Sequence, residues 1–184
     1  EKGGEVSFGA CGIPFYISDH IKQGKELIAR TAEEFAKSGI PVKIYHEVTA
    51  VDTDAKTVTV KNLKTGEVFD DTYDKLVIGS GAGVRHFPPF DRSYTNLFEI
   101  RDVADGTRVK QALLDENQRH VVIVGAGFIG LELSEACRHY GKEVTVVELA
   151  EHVLPAFDTE ISEALEAELA ENGVTVRVGT MVQS

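Results

Sequence analysis

The chain has 184 residues, 42% of them apolar, enough for one large packed domain or two small ones. Thirty acidic residues against 19 basic ones give a formal charge of −11, which argues against nucleic acid, whose phosphates need clustered Lys and Arg. Apolar runs such as Val121-Val122-Ile123-Val124 fall far short of the ~20 residues that span a bilayer, and the two distant cysteines, Cys11 and Cys137, suit neither a disulfide scaffold nor a zinc site. With no visible signal peptide and no ligand spacing among the histidines, the expectation is a soluble, cytoplasmic protein without metal.

In chain order, Glu1-Lys2-Gly3-Gly4 enters abruptly into Val6-Ser7-Phe8. Pro14-Phe15-Tyr16-Ile17 opens a short amphipathic stretch. Thr31-Ala32-Glu33-Glu34 is a capping box, in which Thr31 accepts from the amide three residues on and Glu34 reaches back. That helix should end near Gly39, before Pro41. Strands are predicted at 42–45, 48–52, 57–61 and 68–72, with Lys64-Thr65-Gly66-Glu67 as a hairpin turn. Leu76-Val77-Ile78 is uniformly apolar, as a buried strand is, and runs into Gly79-Ser80-Gly81-Ala82-Gly83. Pro88-Pro89 marks a boundary.

The second part alternates more regularly. A polar helix is predicted near 102–116, then a strand at 120–124, a helix at 128–140 and a strand at 144–148. A helix follows at 158–171, with Ile161, Leu165 and Leu169 on one face, then a strand at 174–178 after Gly173. Strand, helix, strand, helix, strand implies parallel pairing with right-handed crossovers.

Gly125-Ala126-Gly127-Phe128-Ile129-Gly130 closes the first of these strands and opens a helix, the context a GxGxxG motif needs. Gly125 permits the tight turn. Gly127 lets a pyrophosphate approach the backbone, where free amides and the helix dipole attract it. Gly130 lets helix and strand pack closely. Glu148, 23 positions after Gly125, ends the next strand. Its carboxylate suits the two ribose hydroxyls of an adenosine and repels a 2′-phosphate, so NAD(H) is preferred over NADP(H). By itself Glu148 also reads as a solvated strand end.

Cys11 lies in Ser7-Phe8-Gly9-Ala10-Cys11-Gly12-Ile13-Pro14. Gly9 and Gly12 leave room for a planar ligand, and Pro14 fits the first turn of a helix starting near Cys11, a position that favours a thiolate. From composition alone Cys11 reads first as an ordinary buried cysteine. Cys137 follows Leu133 by four positions and should pack against the sheet.

Ser7-Phe8-x-x-Cys11-Gly12 resembles the active-site segment of the single-cysteine branch of the pyridine nucleotide–disulfide oxidoreductases, which includes NADH oxidase, NADH peroxidase and coenzyme A-disulfide reductase. Tyr73-Asp74-Lys75-Leu76-Val77-Ile78-Gly79-Ser80-Gly81-Ala82 resembles the family's second flavin motif. Leu97-Phe98-Glu99-Ile100-Arg101-Asp102 resembles its crossing into the NAD domain, and Gly127-Phe128-Ile129-Gly130-Leu131-Glu132 its NAD helix. The motifs stand in family order along essentially the whole chain. Two departures are Gly79-Ser80-Gly81 for the commoner Ala-Thr-Gly, and Ala10 where coenzyme A-disulfide reductases tend to carry Asn. The double-cysteine reductases fit poorly, because five positions after Cys11 comes Tyr16.

The resemblance implies an α/β fold of two Rossmann-like nucleotide-binding domains with a small antiparallel β-meander. Residues 1–100 would be part of an FAD-binding domain, its first strand and GxGxxG lying upstream, and 101–184 an inserted NAD-binding domain, truncated at its end. Glu1 would then be the acid facing the FAD ribose, Val48 would lie beside the adenine, Ser80 and Gly81 beside the flavin nucleotide, and Arg101 on the FAD. Ala126, Phe128 and Ile129 belong to the NAD turn and Glu132 would stand near the nicotinamide. Ser7 and Cys11 would form the catalytic segment. The implied cofactors are FAD and NAD, and the implied partner is a small electron acceptor: a disulfide, persulfide, oxygen or peroxide. The segment Gly12-Ile13-Pro14-Phe15-Tyr16 favours the disulfide and persulfide reductases. A homodimer is implied for the full-length protein. The reading from another class is a non-catalytic fragment that binds NADH without retaining FAD.

Overall fold

A computed structural model describes residues 1–85 and 90–183, so the expected boundary at Pro88-Pro89 lies outside the described residues. In chain order the elements are β1 (Ser7–Phe8), α1 (Ile13–Ile17), β2 (Ile28–Arg30), α2 (Ala32–Lys37), β3 (His46–Asp52), β4 (Thr57–Asn62), β5 (Val68–Thr72), α3 (Val103–Leu114), β6 (His120–Val124), α4 (Phe128–His139), β7 (Glu143–Val147), α5 (Thr159–Glu171) and β8 (Val174–Arg177). The chain divides into two compact units: residues 1–9 with 28–83, and residues 10–27 with 84–184.

The first unit holds the antiparallel pair β1–β2 and the antiparallel meander β3-β4-β5. The capping box forms as expected: Thr31 Oγ1 accepts from Glu34 N at 3.2 Å, and Thr31 N donates to Glu34 Oε2 at 2.8 Å. Asp52 Oδ1 accepts from the amides of Asp54 and Ala55, closing the β3–β4 turn. The β4–β5 hairpin turns where 64–67 was expected to turn, with Asn62 N donating to Glu67 O and Gly66 N to Asn62 O.

Two expected strands of this unit are not formed. At 42–45 the backbone forms no strand: it bonds to the chain start, and only the Tyr45 carbonyl, which accepts from Leu63 N, reaches towards β4. Tyr45 N donates to Gly3 O and His46 N to Glu1 O, while Tyr45 itself takes a φ of +57° that breaks an extended run. Leu76-Val77-Ile78 pairs with no strand among the described residues, and Val77 and Ile78 are 90% and 79% exposed. Apolar composition marks a segment as fit for a sheet interior, but a strand exists only through a neighbour that takes its amides and carbonyls.

The second unit is the regular βαβαβ arrangement. β6, β7 and β8 pair in parallel in that order, Val122 opposite Thr145 and Val146 opposite Val176. The central strand β7 buries Val144, Val146 and Val147, while β6 alternates between buried Ile123 and exposed Val122 and Val124. α4 turns Gly130, Ser134 and Cys137 inward, an i, i+4, i+7 stripe lying over β6 and β7. α3 starts at Asp102, which with Asp105 forms a second capping box that the sequence reading did not single out. In α5 the inward stripe runs through Ser162, Leu165, Glu166 and Leu169. Ile161, expected on that face, is 45% exposed because it stands one position, about 100°, off the stripe. α1 packs on both α3 and α4. Among the described residues no helix is long and apolar enough to cross a membrane.

Candidate functional site

Between β6 and α4 the chain turns through Gly125, whose φ of +102° is closed to L side chains without strain. Three bonds pin the turn: Gly125 N donates to Val147 O at 2.8 Å, Leu154 N to Ala126 O at 3.0 Å, and Ala126 N to Glu148 Oε2 at 2.7 Å. Gly127 is the N-cap of α4 and offers no side chain to its first-turn amides, which stay available for an outside acceptor. A Cβ at Gly127 would meet no atom within 4 Å, so the space over the turn is open. A Cβ at Gly130 would strike Gly125 O and lie 3.2 Å from Gly125 C, so here helix and turn touch backbone to backbone. Phe128 and Ile129 are exposed beside the turn, Phe128 meeting Phe157 edge-on at 5.7 Å, and Glu132 lies exposed one turn further along α4.

Glu148 stands just past the end of β7, half-buried. Both its carboxylate oxygens are engaged: Oε2 by Ala126 N, and Oε1 by Ala150 N at 2.8 Å. Its backbone is fixed as well, donating to Arg177 O and accepting from Thr180 N. The spacing of Glu148 from Gly125 located the acid. It carried no signal that the acid bonds back to the turn.

Cys11 is the centre of a 3-10 turn, Ala10–Gly12, that leads directly into α1, and its free thiol is exposed. Gly12 sits so close to the Leu27 side chain that a Cβ there would collide with it. α1 is short, with Pro14 in its first turn, and is held by more than its buried Ile13, Tyr16 and Ile17. Tyr140 Oη donates to Ile17 O at 2.9 Å, and Tyr16 Oη lies 3.1 Å from Thr107 Oγ1. Asp19 follows with a φ of +66° and bonds Lys110 Nζ at 2.8 Å and Lys22 Nζ at 2.5 Å. These two ammonium groups, Lys110 first, hold its carboxyl down at about 2.

Cys137 contrasts with Cys11: it is 2% exposed on the inward face of α4. Burial pushes its thiol up to about 11, against a weaker downward pull from Lys142. Alkylation of the native protein at neutral pH should therefore modify Cys11 and spare Cys137, as peptide mass mapping would show. A pH effect follows too. The unfolded thiol ionises near about 8.5. The stability gained by keeping Cys137 neutral is whole below that value and is lost as pH rises towards about 11. Denaturant titrations should show a decline on the order of 2 kcal/mol over this window that Cys137→Ala lacks; an identical decline in the variant would refute the assignment.

The other residues singled out in the sequence are dispersed. Glu1 Oε1 accepts from Gly3 N at 2.6 Å, and Ser7 pairs with Arg30 in β1–β2. Val48 is exposed on β3 at the edge of a bulge, and Ser80 and Gly81 (φ +68°) lie exposed outside any strand. All five belong to the first unit. Arg101, whose amide donates to Asp105 Oδ2 at 2.8 Å, belongs to the second, together with Cys11, the glycine turn, Glu132 and Glu148.

A family model described as pyridine nucleotide-disulphide oxidoreductase matches residues 1–184. A coenzyme A disulfide reductase of Staphylococcus haemolyticus is 32% identical over 185 residues, and an NADH oxidase of Enterococcus faecalis 34% identical over 186; each alignment covers all of this chain and 41% of the relative. The solved structure of an NAD-dependent persulfide reductase from A. fulgidus superimposes with a TM-score of 0.93 at 31% identity, covering all of this chain and 35% of that one. The chain thus spans about two fifths of the length of the curated relatives it matches.

Proposed function

The chain belongs to the pyridine nucleotide-disulphide oxidoreductase family, and on that premise we propose that it is part of an FAD-dependent oxidoreductase that takes electrons from NADH and delivers them, by way of Cys11, to a small-molecule disulfide or persulfide such as coenzyme A disulfide. The observation that carries the reading is the pairing, within one unit, of an exposed thiol at the head of α1 with the uncapped glycine turn of α4, the helix on which α1 packs.

The turn fits a dinucleotide: open space over Gly127, free first-turn amides and an acid at the end of β7 are what a pyrophosphate and an adenosine ribose require. Gly125, Ala126, Gly127, Phe128, Ile129 and Gly130 form the cradle in this reading, Glu148 takes the ribose hydroxyls, and Glu132 faces the nicotinamide end. Glu1, Val48, Ser80, Gly81 and Arg101 are assigned to FAD, residues 1–100 to its domain and 101–184 to that of NAD. When bound, NADH and FAD supply the electron pair as a hydride passed from nicotinamide to flavin. The chain's own part is the sulfur chemistry. The Cys11 thiolate attacks one sulfur of a disulfide R–S–S–R, forming Cys11–S–S–R and expelling RS⁻. Two electrons and a proton then break that bond, restoring the Cys11 thiolate and releasing RSH. Ser7 stands in the same motif and is assigned to the catalytic segment.

A second reading follows from the relative named NADH oxidase: Cys11 cycles through a sulfenic acid, reduced by two electrons and two protons to thiol and water. NADH consumption by the flavin-loaded protein, compared with oxygen, peroxide, coenzyme A disulfide and polysulfide as acceptors, separates the two. Fastest turnover with a disulfide or polysulfide supports the proposal, and fastest turnover with oxygen or peroxide supports the second. A full-length protein that binds NADH yet holds no flavin is the outcome that rejects both. The proposed setting is the cytoplasm, and the proposed assembly a homodimer.

Cofactor choice gives a direct prediction. A 2′-phosphate would meet the Glu148 carboxylate, which two backbone amides keep from swinging away, and Leu149, Ala150 and Glu151 supply no cation. In steady-state kinetics kcat/KM should favour NADH over NADPH at least tenfold, about 1.4 kcal/mol; equal efficiency would contradict the role of Glu148.

A further inference from the structure

We infer that Glu148 is also a positioning residue for the pyrophosphate-binding turn, so that its loss weakens the grip on the diphosphate itself and not only on the ribose. The inference rests on the dinucleotide reading above and extends it to a second job for the same carboxylate. Of the three bonds that pin the turn, two run between backbone groups, Gly125 N to Val147 O and Leu154 N to Ala126 O. The third is the only one a side chain supplies, Ala126 N to Glu148 Oε2 at 2.7 Å. Ala126 is fully buried, so its amide has no recourse to water once that acceptor is gone, and a buried donor left unmatched drives local rearrangement. What lies next along the chain is Gly127 and the head of α4, the amides that would meet the diphosphate.

The two jobs are compatible. An ionised carboxylate has about four acceptor positions. One on each oxygen is taken, by Ala126 N and Ala150 N, and one on each remains, matching the two ribose hydroxyls. The second bond also braces the carboxylate from the far side, so that it reaches the turn in a fixed pose.

Charge makes the idea testable, because it acts in the opposite direction. Deleting an anion near a diphosphate site by itself strengthens diphosphate binding. A weaker grip after the deletion, on a ligand with no hydroxyls for Glu148 to hold, leaves misplacement of the turn as the cause. The experiment is calorimetric titration of the protein, of Glu148→Ala and of the near-isosteric Glu148→Gln with ADP and with 2′,3′-dideoxy-ADP. The native protein should bind both. Glu148→Ala should lose about tenfold or more for ADP, and should also lose severalfold for the dideoxy compound. Glu148→Gln turns an amide N–H₂ against one of the two backbone donors and should likewise lose affinity for both ligands. Far-ultraviolet circular dichroism of the variants checks that they are folded, and faster hydrogen exchange at the Ala126 amide should accompany the loss. Unchanged or tighter binding of the dideoxy compound in the two variants overturns the inference while leaving the ribose contact intact. Failure of the native protein to bind either ligand overturns the dinucleotide reading, and this inference with it.

Discussion

Cys11→Ser should lower disulfide-dependent NADH turnover of the flavin-loaded protein by at least about a thousandfold, a barrier increase of about 4 kcal/mol, while reduction of the flavin by NADH should proceed at the native rate. The two halves of the result come from different chemistry. Hydride passage from nicotinamide to flavin involves no sulfur, so the variant keeps it. Disulfide cleavage needs a nucleophile that can form and lose an S–S bond, which a serine hydroxyl cannot supply. Cys137 is no substitute, since it is buried on α4 with a thiol pushed up to about 11. Stopped-flow absorbance reads the first half-reaction, and steady-state NADH consumption with coenzyme A disulfide reads the whole cycle. Full turnover by Cys11→Ser would make Cys11 structural and would place the protein with flavin reductases that pass electrons on without a thiol.

Gly130→Ala and Gly127→Ala should separate two kinds of glycine in one motif. At Gly130 the added methyl has nowhere to go: the nearest atoms are the O and C of Gly125, backbone of a turn pinned on three sides. Overpacking against a rigid neighbour costs about 1–3 kcal/mol, and pushing the Gly125 carbonyl aside moves the amides that follow it. Gly130→Ala should therefore lower the melting temperature and weaken NADH binding at least about tenfold. At Gly127 the methyl enters open space, and the φ of −79° suits any L residue. Gly127→Ala should melt like the native protein and still lose NADH affinity, because the methyl occupies the approach of the pyrophosphate. Thermal denaturation and NADH titration of both variants decide it. Native NADH affinity in Gly127→Ala would remove the pyrophosphate from this turn.

What the sequence made legible depends on where each interaction's partners lie. Thr31 and Glu34 are three residues apart, so the capping box was readable and formed. The period of two at Thr57-Val58-Thr59-Val60 and the glycine turn between apolar runs are also local patterns, and the strands and helices around them appear within a residue or two of the expected bounds. Features decided at a distance were not readable. Tyr45 is bent by a bond to Gly3, some 40 residues away, and Leu76-Val77-Ile78 needed a neighbouring strand that its own composition does not reveal. The Ile161 face was misjudged by one position, since an alternative stripe through Ser162 and Glu166 looks polar on paper and faces inward in the fold. At the site, the types and spacing of Gly125, Gly127, Gly130 and Glu148 were visible, whereas the bond from Ala126 N to Glu148 spans 22 residues and leaves no sequence trace. The clasp of α1 by Tyr140 and Thr107, and of the following Asp19 by Lys110, was missed for the same reason.

The central claim is that electrons from NADH reach a redox centre at Cys11, and the most direct measurement is an anaerobic NADH titration of the oxidised, flavin-loaded protein, followed by flavin absorbance. A protein with a flavin and an oxidised Cys11, whether a mixed disulfide or a sulfenic acid, stores two electron pairs. The native protein should take up about two equivalents of NADH per flavin, with a thiol released or unmasked by the first, and Cys11→Ser should take up about one. Uptake of one equivalent by both proteins, with no new thiol, would contradict the account.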